Sequence, residues 1–272
     1  MMECGICPRG CRVDRRTEQG SCGVRWNPVV DGAMVHMGEE SVISGIMGSG
    51  TVFFSGCNLH CVYCQNYEIS QEVVGKELTV PELANTFVQL AKRGVHNINL
   101  VSPSHFVPQI TEAIRTAKER GIKLPFVYNS GGYDSLLSLK TLDGLVDIYM
   151  PDLKYANDVV GQRYSLVPDY FTVVTQALTE MYRQVGAMVI RDGIMVKGLL
   201  IRHLVLPGFS EDACSILDWI KANTPQAGVS LLAQFYPTYK AAEYPEIKRP
   251  ITTKEYRTVV SHAEAIGLHV IR

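Results

Sequence analysis

Cys57, Cys61 and Cys64 stand in the stretch "SGCNLHCVYCQN", spaced Cys-x3-Cys-x2-Cys. A cubane iron–sulfur cluster has four irons and normally takes four thiolates. Three thiolates leave one iron without a protein ligand, and that open corner can bind a substrate or cofactor. A fourth cysteine would close it and leave an electron carrier. A zinc site completed by a distant ligand is the competing reading of the trio, with His60 between the first two cysteines as a conceivable donor. The strand-like run "TVFFSG" just before the trio, and Tyr63 directly before its last member, favour the cluster, and His60 is read as a loop residue.

An open iron suits S-adenosylmethionine. The amino and carboxylate groups of that cofactor can chelate the bare iron and bring the sulfonium beside the cluster. One electron then splits the bond to the 5′ carbon, and the resulting 5′-deoxyadenosyl radical abstracts hydrogen from an unactivated position. The cofactor carries the hard chemistry and the protein supplies placement and electrostatics. Iron–sulfur potentials span roughly −700 to +450 mV with environment, and this task needs the low end. A flavodoxin- or ferredoxin-type protein is therefore the expected electron donor.

Cys4, Cys7, Cys11 and Cys22 form a separate group, Cys-x2-Cys-x3-Cys-x10-Cys, with "PRG" imposing a tight turn inside it. Four thiols in so short a segment point to a closed four-thiolate site, either structural zinc or a second [4Fe–4S] cluster. Zinc would pin a segment too short to form a core of its own. A cluster could also relay electrons or bind substrate. The eighth cysteine, Cys214, lies in the helix-like "EDACSILDWIKAN" and reads as a buried small hydrophobe.

The elements that must position these groups follow a rhythm. From residue 51 onward, short apolar runs alternate with helical patterns: "TVFFSG" with "TVPELANTFVQLAKRG", "HNINLVSP" with "PQITEAIRTAKERG", "LPFVYNSGG" with "YDSLLSLKTL", "VDIYMPDLKY" with "DYFTVVTQALTEMYRQVG", "GLLIRHLVLPG" with "DACSILDWIKAN", and "VSLLAQFYP" with "TKEYRTVVSHAEAIG". Near-continuous apolar strands between amphipathic helices predict a parallel sheet covered by helices. Thr79 and Glu82 predict a capping box, Gly94 marks a helix end, Asp192-Gly193 in "MVIRDGIMVKG" a hairpin turn, and "GSG" at 48–50 a turn. Six β/α units fall short of a closed eight-unit barrel, so an incomplete (βα)6 TIM-like barrel is expected, and "LHVIR" can add a last strand. The expected division is a loop-rich metal-binding segment at 1–45 and the partial barrel at 46–272. Chemistry in such folds collects at the carboxyl ends of the strands, where Cys57, Ser102, Asn129, Asp152, Arg202 and Gln234 fall.

With these motifs the sequence resembles the radical S-adenosylmethionine superfamily, and within it enzymes like the pyruvate formate-lyase activating enzymes. "CPRGC", "GSGTVFFSGCNLHCVYCQN", "LIRHLVLPG" and "AQFYP" are similar to a cysteine-fronted branch of that group. The resemblance implies cluster ligation by Cys57, Cys61 and Cys64, with Tyr63 beside the cofactor. "YMPDLK" resembles the Met-x-Asp-Leu-Lys pattern whose Met carbonyl and Asp help bind a monovalent cation, which would give Met150 and Asp152 that role. Asn129-Ser130 stand where the family has Asp-Thr, and the lost carboxylate weakens the case for the cation. Arg202 matches an arginine that pairs with the cofactor carboxylate, and Lys154 is a second candidate for it. His203, its strand neighbour, should point the other way. The family's Gly-Gly-Glu is absent, since the second strand ends "LVSPSH", where Ser102 and Ser104 are the polar candidates. Gln234, Tyr236 and Tyr239 could line the substrate mouth. The implied activity is hydrogen abstraction by the deoxyadenosyl radical, with activation of a glycyl radical enzyme as one outcome. Radical modification of a small molecule or peptide is the alternative, and a non-enzymatic iron–sulfur carrier is a third.

The rest of the composition narrows the setting. A chain of 272 residues with a formal charge of −1 carries no basic footprint for nucleic acid or for an acidic membrane surface. It has no apolar signal core and no run long enough to span a bilayer, so a cytoplasmic setting is expected. There, clustered thiols stay reduced and favour metal binding over disulfides.

Overall fold

Seven strands of one sheet run parallel because each apolar run returns to the same side of the sheet through a covering helix. The computed structural model describes residues 3–271. In chain order the elements are β1 (Val29–His36), α1 (Ser41–Ser44), β2 (Ser49–Phe54), α2 (Tyr67–Glu72), β3 (Lys76–Glu77), α3 (Val80–Ala91), β4 (Ile98–Val101), α4 (Val107–Glu119), β5 (Phe126–Ser130), α5 (Leu136–Leu142), β6 (Ile148–Pro151), α6 (Asp158–Ser165), α7 (Tyr170–Val185), β7 (Val189–Arg191), β8 (Ile194–Leu204), α8 (Ser210–Asn223), β9 (Gly228–Leu232), α9 (Thr253–Ala265) and β10 (Val270–Ile271). The sheet order is β10-β9-β8-β6-β5-β4-β2-β1-β3, with β7 folded back on β8. Its two ends do not pair, so the barrel stays open.

Strands β5 and β6 are buried along their whole length, as strands covered on both faces must be. Two hydrophobic layers cover the outer face, one centred on Leu83, Phe87 and Phe126 and the other on Tyr128, Tyr149 and Leu178. The inner face closes over a smaller layer of Val127, Ile148, Met150, Met195 and Leu200, into which Ile43 of α1 inserts. Local signals agree with their elements. Thr79 and Glu82 form a complete capping box on α3, and Thr252 and Glu255 form one on α9. Asp192 and Gly193 both take positive φ in the β7–β8 turn, as a type I′ turn requires.

Several expectations change. Residues 29–44 are not a detached loop: β1 pairs antiparallel with β2, and Ile43 fills the barrel interior. Gly32 sits at a register shift within β1, a bulge that lets the strand bend. Ser49 and Gly50 of "GSG" belong to β2, with only Gly48 in a turn conformation. Helices α2 and α6 lack a sequence signal because each is short. Cys214 is half-buried, not buried. Among the described residues, no helix is long and apolar enough to cross a membrane.

Candidate active site at the carboxyl ends of the strands

The loop after β2 carries Cys57, Cys61 and Cys64, and all three border one cavity of about 250 Å³ together with Ser102, Asn129, Ser130, Asp152, Lys154, Arg202 and Gln234. Backbone bonds from distant segments fix the loop: His60 N–H donates to Ser165 O, Val62 N–H to Tyr164 O, and Lys240 N–H to Val62 O. Each sulfur has a hydrogen-bond partner. Leu59 N–H donates to Cys57 Sγ at 3.4 Å, Ser165 Oγ lies 2.9 Å from Cys61 Sγ, and Ser70 Oγ lies 3.2 Å from Cys64 Sγ. Burial pushes the Cys57 thiol up to about 12, and the neighbouring Cys61 adds to it. Burial likewise raises Cys61, against the opposing charge of Lys154. Without metal, burial thus favours the protonated thiols of Cys57 and Cys61, and a bound metal would remove those protons. His60 is directed elsewhere, with Nδ1 2.7 Å from Gln71 Oε1.

Across the cavity, β5, β6 and β8 bring together a charged group. Arg202 Nε donates to Asp152 Oδ1 at 3.1 Å, its Nη2 to Asn129 Oδ1 at 2.6 Å, and its Nη1 to Glu39 Oε2 at 3.4 Å. Lys154 Nζ donates to Asp152 Oδ2 at 2.5 Å. Burial pushes the Asp152 carboxyl up, but Lys154 and Arg202 outweigh it and the net direction is down. Burial opposes the Lys154 charge, yet Asp152 holds its pKa above the ordinary value. Glu39 is different: burial pushes its carboxyl up, and the Arg202 charge opposes that shift. Arg202 and Lys154 thus converge on Asp152, and Arg202 also faces Glu39 and Glu40. Both cationic groups border the cavity, where they can meet one further carboxylate. Each Asp152 oxygen accepts from a cationic donor, Oδ1 from Arg202 and Oδ2 from Lys154.

The remaining expected residues separate. Ser102 borders the cavity with φ at +58°, a conformation that is strained for a side-chain-bearing residue. Ser130 borders it too, but its hydroxyl donates to Asp134 Oδ2 at 2.7 Å. Ser104 is buried and turned to the same Asp134. The Met150 side chain lies in the inner apolar layer, so any part it takes at the site falls to its backbone carbonyl. Tyr63 borders the cavity with its ring, while its hydroxyl lies 2.7 Å from Tyr155 OH. Gln234 is exposed at the rim, where its carbonyl accepts from Gln65 Nε2. Tyr239 stacks on Tyr67 at 5.0 Å, and Tyr236 stays exposed; neither borders the cavity. His203 faces away as expected, with Nδ1 2.8 Å from Leu153 O.

Sequence reasoning missed Ser165, Tyr155, Ser70 and Glu39. The first two lie about a hundred residues beyond the cysteines, and no local motif ties them to the site. Glu39 was assigned to the N-terminal segment, yet it reaches Arg202 and also accepts from Asn99 Nδ2 at 2.9 Å.

Cys4, Cys7, Cys11 and Cys22 are all free thiols and lie close enough to act on one another electrostatically. Among the described residues, no three His, Cys, Asp or Glu side chains close on a point as a single ion requires. A second cavity of about 500 Å³, lined by Cys4, Ile6, Trp26, Val107 and Leu137, lies away from the three-cysteine loop and shares no residue with its cavity.

Residues 51–220 match the family model described as the Radical SAM superfamily. An uncharacterized protein of Methanocaldococcus jannaschii is 32% identical over 98% of this chain and 76% of its own length, and another from the same organism is 24% identical over 93% and 76%. Among solved structures, anSMEcpe with bound AdoMet superposes with a TM-score of 0.56 at 11% identity, over 79% of this chain and 61% of that one. Methylornithine synthase (PylB) gives 0.54 at 15%, over 79% and 60%. Streptococcus suis SuiB bound to precursor peptide SuiA gives 0.55 at 11%, over 79% and 45%. This chain therefore spans about half to three-fifths of those solved chains, and at these identities they carry the fold alone.

Proposed function

This chain belongs to the radical SAM superfamily, and from that premise we propose that Cys57, Cys61 and Cys64 hold its [4Fe–4S] cluster and that the facing charged group holds S-adenosylmethionine for radical hydrogen abstraction. One observation carries the reading: the three sulfurs and the Asp152, Lys154 and Arg202 side chains border the same cavity. When bound, the cluster and cofactor supply the electron and the sulfonium from which the 5′-deoxyadenosyl radical is made.

The chain's own residues supply the rest. Three thiols with one hydrogen-bond partner each suit thiolates on three irons, since a donor to sulfur stabilises its negative charge. Arg202 and Lys154 offer the cofactor carboxylate two cationic donors, while Asp152 and Asn129 fix the plane of the guanidinium. Ser102 brings a hydroxyl-bearing turn to the strand end where the family's glycine-rich segment would stand. Leu59, Val101 and Leu204 give the cavity an apolar wall beside the charged group.

On the substrate side, the cavity adjoins a wider one of about 510 Å³ that shares Asn66, Val101, Asn129, Arg202, Leu232 and Gln234 with it. That open access supports a peptide segment or small molecule reaching the radical. Hydrogen abstraction from a glycine Cα of a partner enzyme is the finer reading, and radical modification of another peptide or a small molecule its alternative. Anaerobic protein with reconstituted iron and sulfide, incubated with dithionite and S-adenosylmethionine, should release 5′-deoxyadenosine, and Cys61→Ala should abolish it. Retained release in that variant would overturn the assignment. Deuterium recovered in deoxyadenosine from glycine-labelled peptides separates the two substrate readings.

A further inference from the structure

We propose that Cys4, Cys7, Cys11 and Cys22 hold a second [4Fe–4S] cluster, closed by four thiolates, that relays electrons to the cluster at Cys57, Cys61 and Cys64. The relay rests on the functional reading above; the second cluster does not.

The backbone of Arg9 acts on the Cys7 sulfur and that of Val24 on the Cys22 sulfur, each lowering the thiol pKa. A buried cation stands beside them. Arg15 is 2% exposed; its Nη1 donates to His105 O at 2.5 Å and its Nη2 to Arg25 O. Its Nε–H has no partner. That Nε is one bond from Cδ, which lies, with Cys22 Sγ and Cys11 Sγ, within 3.6 Å of the point a Cβ on Gly20 would occupy. A buried cation with an unpartnered donor, acting electrostatically on Cys22, suits a negatively charged thiolate centre nearby.

Its location gives this centre a task. A Cβ on Gly56 would lie 2.4 Å from the carbonyl oxygen of Cys22, and Gly56 is the residue before Cys57. Asn58, the residue after Cys57, gives its carbonyl to Arg9 Nε at 2.7 Å. His105, whose carbonyl holds Arg15, pairs through Nε2 with Ser55 O at 2.9 Å. The two cysteine groups are therefore packed together on both sides of Cys57. Zinc has no redox chemistry and would make no use of this adjacency. In the relay, a reduced flavodoxin- or ferredoxin-type protein gives one electron to the four-cysteine cluster, taking it from the 2+ to the 1+ state. That cluster returns to 2+ as it reduces the three-cysteine cluster from 2+ to 1+. One donor electron is consumed for each cofactor cleaved.

The test is metal and sulfide analysis with electron paramagnetic resonance of anaerobic wild-type protein and of the Cys57→Ala/Cys61→Ala/Cys64→Ala variant, which leaves the N-terminal site intact. About eight irons per chain in the wild type and about four in the variant are expected. The variant's reduced signal should be indifferent to S-adenosylmethionine, and the fully reduced wild type should show spin–spin broadening between two centres. Wild type with about four irons, and a variant holding zinc or no metal, would overturn the second cluster while leaving the three-cysteine reading intact. About four irons in both proteins would support the N-terminal cluster but remove both the three-cysteine reading and the relay. Two clusters whose wild-type spectrum is the plain sum of separate signals would overturn the relay alone.

Discussion

Ser165 Oγ lies 2.9 Å from Cys61 Sγ although 104 residues separate the two in the chain. A ligand thiolate has no proton to donate, so with metal bound the Ser165 hydroxyl must be the donor. Tyr155 OH, 2.8 Å from Ser165 Oγ, then donates to Ser165, and Tyr63 OH, 2.7 Å away, to Tyr155. The thiolate thus sets the direction of a buried relay that crosses from the end of α6 back to the cysteine loop. A donor to sulfur stabilises the more negative, reduced cluster. Replacing Ser165 by Ala should lower its midpoint potential, by up to about 40 mV if a bond worth about 1 kcal/mol is lost in the reduced state alone. Potentiometric titration decides this: an unchanged potential at full iron content would contradict the relay.

Arg202 ties three side chains from separate elements and faces the cavity. Arg202→Ala removes the fork proposed to hold the cofactor carboxylate, so S-adenosylmethionine should bind about ten- to a hundredfold more weakly, the range for losing a hydrogen bond to a charged group. Arg202→Lys keeps the charge but not the planar fork, and its affinity should fall between. Equilibrium dialysis on anaerobic, cluster-loaded protein reads the difference. Wild-type affinity in the alanine variant would place the carboxylate elsewhere.

His203 is buried, with Nδ1–H donated to Leu153 O and Nε2 without a partner. Burial, the largest cause, holds its pKa down from 6.5 to about 4. The unfolded chain takes up a proton near the ordinary value and the folded one only near the lower value. Stability therefore falls as pH drops through that window, by up to about 1.4 kcal/mol per pH unit from this group. His203→Gln removes the titration. Between pH 7 and pH 5 its anaerobic urea midpoint should drop less than that of the wild type, by the equivalent of about 2 kcal/mol. Equal losses would show that His203 does not titrate this way.

Gly56 has φ at +80°, and a side-chain carbon there would meet the Cys22 backbone oxygen. Both penalties fall on Gly56→Ala. Left-handed backbone alone costs a non-glycine residue about 1–2 kcal/mol, and the carbonyl cannot rotate aside like a flexible side chain. A melting temperature about 4 °C or more below wild type is expected, with disturbance of the Cys57 loop visible in the cluster's absorbance. Wild-type melting would refute the packing of these two segments.

Much of this was legible in the residues. The β/α alternation carries its own period, the caps of α3 lie within four residues, and a Cys-x3-Cys-x2-Cys spacing constrains its ligand chemistry because the sulfurs are neighbours in the chain. The charged strand ends were legible too, since Asp152 and Arg202 directly follow or end apolar runs that could only be strands. What the sequence could not decide was everything set by contacts between distant segments. Ser165, Tyr155 and Glu39 look like ordinary polar residues until folding places them at a sulfur or a guanidinium. Asp152 and Lys154 are two apart in sequence and read separately, as a cation ligand and a carboxylate contact, whereas burial pairs them, because a charge removed from water takes the nearest opposite charge. The strand at 29–36 shows why local reading fails here: the segment reads as loop-rich, and pairing with β2 holds it extended. Local spacing determined the chemistry this chain can attempt. Tertiary packing decided which side chains tune it and how closely the two cysteine groups meet, since low-dielectric, long-range contacts have no representation along the chain.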